Sequence, residues 1–153
     1  MLDETIQRLV DIEDIKQLKA RYCRFVAVEK WDEFEALFTE DLQFITPDGT
    51  AYQGRDNFMA FHVERIQKPR AKGVLHCFTP EIIITGADTA TGTWAMYDLH
   101  EWPTSDGTLT GYHGYGHYHE EYVRTKDGWR FKRVENTRVR VDPLTGGPPD
   151  FWS

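Results

Sequence analysis

Apolar residues recur at spacings of three and four over the first 30 positions: Ile6, Leu9, Val10, Ile12, Ile15, Leu18, Tyr22, Phe25 and Val26. That is the period of a helix burying one face. A second, short helix is predicted from about Trp31 to Phe38, with Trp31, Phe34, Leu37 and Phe38 on its apolar side. LQFIT at 42–46 reads as a strand, and the PDGT turn follows it. A third helix is predicted from about Arg55 to Gln67, opened by Gly54 and closed before Pro69, with Phe58, Met59, Phe61, Val63 and Ile66 apolar. From residue 74 onward the period falls to two. The turn signals TGADT, TSDGT and KDG divide the rest into strands at roughly 75–84, 89–102, 109–125 and 129–141. Helices followed by long antiparallel strands predict an α+β domain. One domain is expected over residues 1–153, with an irregular Pro- and Gly-rich tail from about 143 whose Phe151 and Trp152 are candidates to dock on the body.

The strand faces carry the candidate chemistry, because side chains two apart share a face. Trp94, Met96, Asp98, His100 and Trp102 fall together, an acid and an imidazole among large apolar groups. A buried carboxylate and imidazole need hydrogen-bond partners, and these two can orient each other. On the next strand Tyr112, Gly114, Gly116, Tyr118, Glu120 and Tyr122 share the even face. Glycines there are expected where the sheet bends or another group approaches closely. The odd face holds His113, Tyr115, His117, His119, Glu121 and Val123. His117 and His119, about 7 Å apart along a strand, are a candidate metal pair, but the sequence offers no clear third and fourth ligand, so no metal is expected. Apolar residues on the other face too, Tyr97, Leu99, Tyr115 and Val123, predict a homodimer through the outer side of the sheet.

Composition narrows the classes. A net charge of −7 argues against non-specific nucleic-acid binding. The basic residues near the end, Arg130, Lys132, Arg133, Arg138 and Arg140, alternate between strand faces instead of forming a stripe. An aromatic content of 14% suits a lined cavity as well as a core. Cys23 and Cys77 lack metal spacing and read as buried reduced thiols. No apolar run approaches a membrane span. The acidic amphipathic N-terminus is no signal peptide, so a cytoplasmic protein is expected.

Several stretches resemble the SnoaL-like polyketide-cyclase branch of the nuclear-transport-factor-2-like superfamily. They are IEDIKQLKARYCRF with WDEFEALFTEDLQF, FTPEIIITGADTATGTW, and GHYHEEYVRTKDGWRFKR with Gly116, Tyr118, Glu120 and Tyr122 in its glycine–tyrosine–acid–tyrosine pattern. The resemblance implies a cone-shaped, mostly antiparallel sheet wrapped around three N-terminal helices and enclosing a pocket. Within the branch the chain is similar to the bile-acid 7α-dehydratase and scytalone dehydratase types. That likeness implies roles for Tyr22 (helix tyrosine), Asp98 (strand acid), His100 (second strand histidine), His76 (first strand histidine) and Arg138 (last-strand arginine). The family's helix aspartate, five residues after the tyrosine, is Ala27 here, and His76 stands one residue out of register in the FTPEI stretch.

Such enzymes need no cofactor. A base removes a proton next to a carbonyl while donors stabilise the enolate oxygen. The base would be His100 or His76, with Asp98 orienting the imidazole. Tyr22 and Tyr118 would donate to the substrate oxygen, and Arg138 would bind an anionic group or hold the pocket acid. Trp94, Met96 and Trp102 would line a pocket for a hydrophobic cyclic molecule. The reading is therefore a cofactor-independent lyase or isomerase. A non-catalytic small-molecule binder and the small subunit of a ring-hydroxylating dioxygenase are the alternatives on the same fold.

Overall fold

The computed structural model describes residues 3–66 and 72–144. The elements run α1 (Glu4–Ala27), α2 (Trp31–Glu35), β1 (Phe38–Ile45), β2 (Ala51–Gln53), α3 (Arg55–Ile66), β3 (Lys72–Gly86), β4 (Thr89–Pro103), β5 (Leu109–Thr125) and β6 (Gly128–Leu144). The six strands form one curved, unclosed sheet in the order β2-β1-β6-β5-β4-β3, antiparallel except where β1 runs parallel to β6. The α+β expectation holds, with differences in where elements begin and end. The third helix follows two strands. Phe38 opens β1 instead of ending α2, and the PDGT turn joins β1 to the unforeseen strand β2. β6 also continues through Leu144, while Phe151 and Trp152 lie outside the described residues.

Asp3 caps α1, its carboxylate accepting from the Thr5 N–H at 3.2 Å. The helix lays Ile15, Leu18, Tyr22, Phe25 and Val26 against the concave side of the sheet. Phe34 of α2 is wholly buried among Tyr22, Phe38 and His62, with ring centroids 4.9, 5.0 and 5.2 Å away. Edge-on and stacked rings at such spacings add to the burial of their area.

One buried residue breaks the apolar pattern. Lys19 lies in the same stripe, and its side chain is 1% exposed. Its ammonium donates to Glu120 Oε1 from β5, and the Tyr122 hydroxyl donates to the other Glu120 oxygen. Trp94 Nε1 donates in turn to the Tyr122 hydroxyl at 2.9 Å. The ammonium also sits over the rings of Tyr118 and Tyr22, 3.8 and 4.3 Å from their centroids. Burial disfavours the charge, but the paired Glu120 carboxylate outweighs it and holds Lys19 above the ordinary lysine value. A second tie joins the same elements, as Arg124 of β5 meets the buried Asp11 of α1 at 2.8 Å.

Burial alternates along β4 and β5 as the sequence predicts, with Trp94, Met96, Asp98, Tyr118, Glu120 and Tyr122 inside. Beyond these strands the phase is set by bulges. Opposite Trp94, β3 carries an extra residue at Thr79–Pro80, where Thr79 has φ 39°. β6 has extra residues at Lys132 and Val139. Cys23 and Cys77 are free and half-buried, less covered than the sequence suggests. Among the described residues, no helix is long and apolar enough to cross a membrane.

Removing one member of a buried ion pair strands the other. Lys19→Met and Glu120→Gln should each lower stability by about 3–5 kcal/mol. The double variant should recover part of that loss. Urea unfolding of the four proteins measures the coupling directly.

Candidate active site

Between the end of α1 and the wide end of the sheet lies a cavity of about 490 Å³. Tyr22 and Val26 of α1, and Leu75, Asp98, Tyr118 and Arg138 of the strands, form its inner wall. Phe44, Tyr52, Phe61 and His62 close the side facing α3, and the Thr46–Pro47–Asp48 turn forms part of the rim. Ligand pockets of this size are ordinary for small molecules.

Asp98 is the centre of the polar wall, 1% exposed. Arg138 clamps it with two parallel hydrogen bonds, Nη1 to Oδ1 at 2.8 Å and Nη2 to Oδ2 at 2.7 Å. His100 Nε2 lies 3.1 Å from Oδ2. The carboxylate is an acceptor only, so the contact places a proton on Nε2; in the neutral ring the lone pair is then on Nδ1. Burial pushes the Asp98 pKa up, but the hydrogen bonds from His100 and Arg138 outweigh it and hold the carboxyl below its usual range. The same pairing overcomes burial at Arg138 and raises its pKa. Arg138 also lies 3.3 Å from Met96 Sδ and over the Tyr112 ring at 5.6 Å. Two of its five N–H donors go to the pocket acid, the second of the two roles foreseen for it.

Gly114 of β5 explains how two large groups fit beside each other. A Cβ there would stand 2.2 Å from Asp98 Oδ1 and 2.3 Å from Arg138 Nη1. Only a residue without a side chain leaves the clamp room.

Tyr22 and Tyr118 meet edge-on with ring centroids 6.0 Å apart. Burial keeps both phenols well above the ordinary tyrosine value. Each therefore remains a hydrogen-bond donor at neutral pH rather than a base.

The structure thus gathers Tyr22, Asp98, His100, Tyr118 and Arg138 around one cavity. Other expected site residues lie elsewhere. His76 pairs with Tyr97 and is exposed on the outer face, because the Thr79–Pro80 bulge reverses the phase of β3 there. Leu75 takes the inward place. Trp94 is bound to Tyr122 and lines a separate hollow of about 380 Å³ beside Cys23 and Cys77. Met96 is buried behind Arg138, and Trp102 packs edge-on against Tyr112 at 6.1 Å, half-exposed. Ala27 is exposed at the end of α1. The rings of His117 and His119 lie 6.2 Å apart, with His119 paired to Thr137. Among the described residues no group of three or more His, Cys, Asp or Glu is arranged to hold a metal ion. Sequence reasoning missed Tyr52, Phe61, His62 and Asn136 as cavity residues. The first three come from segments whose long-range placement no local pattern reveals, and Asn136 lies beyond a bulge.

The clamp makes two measurable predictions. Gly114→Ala should force Asp98 and Arg138 apart and lower stability by about 1–3 kcal/mol, read by denaturant unfolding. Asp98→Asn should destabilise the protein at neutral pH. Since the folded carboxyl titrates below its unfolded value near pH 4, its contribution is complete above that pH and disappears as pH falls through the folded pKa. The stability gap between wild type and Asp98→Asn should therefore narrow below about pH 4.

The SnoaL-like domain profile matches residues 7–135. A probable cyclase of Gibberella zeae is 24% identical over 137 residues, covering 82% of this chain and 89% of the relative. A scytalone dehydratase candidate from Novosphingobium aromaticivorans superposes with a TM-score of 0.81 at 20% identity, over 95% of this chain and 97% of that one. A hexachlorocyclohexane dehydrochlorinase from Novosphingobium barchaimii does so with a TM-score of 0.76 at 18% identity, over 95% and 100%. At such identities the two structures speak for the fold alone. The extent of the profile match, from the first helix into the last strand, settles the kinship: the chain belongs to the SnoaL-like domain family of the nuclear-transport-factor-2-like superfamily.

Proposed function

We propose that this protein is a cofactor-independent lyase or isomerase acting by acid–base chemistry on a hydrophobic cyclic molecule. The observation that carries the reading is the His100–Asp98–Arg138 array facing a largely apolar cavity beside two buried tyrosine hydroxyls. Nδ1 of His100 takes a proton from the carbon next to a substrate carbonyl. Nε2–H stays donated to Asp98, which steadies the imidazolium that forms. A tyrosine hydroxyl, from Tyr118 or Tyr22, donates to the carbonyl oxygen as negative charge develops on it. The imidazolium then returns its proton, to a departing hydroxyl in a dehydration or to another carbon in an isomerisation. In this scheme Asp98 performs the work of the helix carboxylate that Ala27 replaces. The names of the relatives, cyclase, dehydratase and dehydrochlorinase, support a base-driven reaction without identifying the substrate.

A panel of cyclic β-hydroxy ketones, followed by the ultraviolet absorbance of the enone product, tests the reading. His100→Ala should reduce turnover by roughly a hundredfold or more with its circular dichroism unchanged. His76→Ala, altered on the outer face, should keep wild-type activity. Full activity in the His100→Ala protein would sink the acid–base reading and favour a non-catalytic binder.

We also infer a homodimer formed through the outer sheet face, where Phe78 and Tyr115 are 50% and 40% exposed beside the half-buried Tyr97 and Leu99. Light scattering at micromolar concentration should give twice the 17.9 kDa chain mass. Tyr115→Lys should shift the species toward monomer.

A further inference from the structure

The second hollow, of about 380 Å³, lies between α1 and the edge strand β3. Lys16, Lys19 and Cys23 of α1 and Cys77 and Pro80 of β3 line it, with Trp94 of β4 behind. It gathers both cysteines of the chain, and the foregoing chemistry uses neither. Both are free and half-buried, so neither is sealed in the core.

The fold brings these two residues together from distant parts of the sequence. Cys77 stands opposite Met96, one of the inward residues of β4, and so shares the concave side on which α1 packs. The insertion at Thr79–Pro80 places it there, since the inward residues of β3 pass from Ile84 and Ile82 to Cys77 and Leu75. Without the insertion His76 would take the inward place and Cys77 would face out. Cys23 reaches the same side from α1, one turn beyond Lys19. Each thiol influences the other's ionisation more than any other group does, a short-range effect that marks them as neighbours.

The two sulfurs are not equivalent. Cys77 and the Lys19 ammonium favour the Cys23 thiolate against the pull of burial and hold its pKa below the ordinary thiol value. Cys23 and burial together push Cys77 up. Lys19 keeps its charge because Glu120 is paired with it. A thiolate-prone sulfur near a cation, with a protonated thiol beside it, is the arrangement of an oxidisable cysteine and its resolving partner.

We propose that Cys23 and Cys77 form a redox site, oxidised by hydrogen peroxide to an intramolecular disulfide that fastens α1 to β3. The Cys23 thiolate attacks one peroxide oxygen: an S–O bond forms, the O–O bond breaks, and hydroxide leaves to become water. Cys77 then attacks the Cys23 sulfur of the sulfenic acid. The S–S bond forms, the S–O bond breaks, and the departing hydroxide leaves as water with the Cys77 proton. The two thiols lose two electrons and two protons, and the peroxide is reduced to two molecules of water. Asp98, His100 and Arg138 do not line this hollow, so the redox site and the acid–base reading can fail separately.

The test treats the reduced full chain with a small molar excess of hydrogen peroxide at neutral pH. Peptide mapping without reductant should find the Cys23 and Cys77 peptides joined, and a denaturing gel without reductant should show single chains. Ellman's reagent should then detect neither thiol, and dithiothreitol should restore both. Before oxidation, limiting iodoacetamide should alkylate Cys23 faster than Cys77 by about threefold or more, since the thiolate is the reacting form. Cys77→Ser should accumulate a sulfenic acid at Cys23 that dimedone traps, whereas Cys23→Ser should leave Cys77 unoxidised at the same dose. Should either serine variant fail to fold, the wild-type mapping and the order of alkylation decide. Thiols that survive the peroxide, a disulfide joining two chains, sulfinic acid in place of the disulfide, Cys77 alkylated first, a folded Cys77→Ser protein without the dimedone adduct, or oxidation of Cys77 in Cys23→Ser would each overturn the proposal.

Discussion

The arrangement of this protein turns on a buried charge. Lys19 is drawn from the first helix to Glu120 in the middle of the sheet, where water cannot solvate either group. Such a pair gains little over an apolar contact of equal volume, yet neither partner can be elsewhere without a large penalty. It therefore acts as a register pin. With Lys19 held, Tyr22 one turn on is carried to the cavity wall, and its ring and that of Tyr118 close over the ammonium. The donation from Trp94 to Tyr122 and from Tyr122 to Glu120 extends the pin across three strand positions. The cavity floor is thus a satisfied polar network capped by aromatic rings.

Above this floor a second charged pair is used differently. Asp98 and Arg138 are half of the cavity's chemistry, and their mutual clamp fixes the geometry through which Asp98 presents itself to His100. The bidentate contact orients the carboxylate and cancels its charge, so an apolar molecule can enter without meeting a naked ion. Gly114 supplies the space, which gives the glycine-containing face of β5 a concrete purpose. The same clamp makes the histidine's tautomer a consequence of packing, since Asp98 cannot rotate away from Nε2 without giving up a hydrogen bond to Arg138.

In the proposed reaction the acid that orients the histidine lies on a strand and not on the first helix. A carboxylate expected on the helix is absent at Ala27, and one on the strand two residues before a histidine takes the neighbouring position. Period-two geometry makes this economical, because Asp98 and His100 need no tertiary coincidence to meet. They lie on one face of one strand, and only the partner from β6 must be brought in.

That distinction divides what could be read from the chain. The helical stripe of α1 from Ile15 to Val26, the three hairpin turns and the inward face of β4 and β5 are local facts of spacing, and they were legible from residue order. So was the pairing of Asp98 with His100 and the concave placement of Tyr118. Ile6, Leu9 and Val10, read into the same stripe, are exposed because no described element packs over the first turns of the helix. Facing beyond a bulge was not legible, because one extra residue reverses every later side chain. Ile82 and Ile84 pack inward at even positions of β3, and extending that parity would turn His76 inward too; the insertion at Thr79–Pro80 turns it out. On β6 the odd positions Trp129 and Phe131 would send Arg138 and Asn136 to the surface, and the insertion at Lys132 brings them in. Lys19 likewise looks like a solvated lysine in its own helix and becomes buried only because Glu120, 101 residues later, waits beneath it. The sequence by itself determined the elements and the faces within each unbroken strand; the tertiary structure alone decided which faces meet, because bulges and long-range charge pairing depend on the partner strand and not on local period.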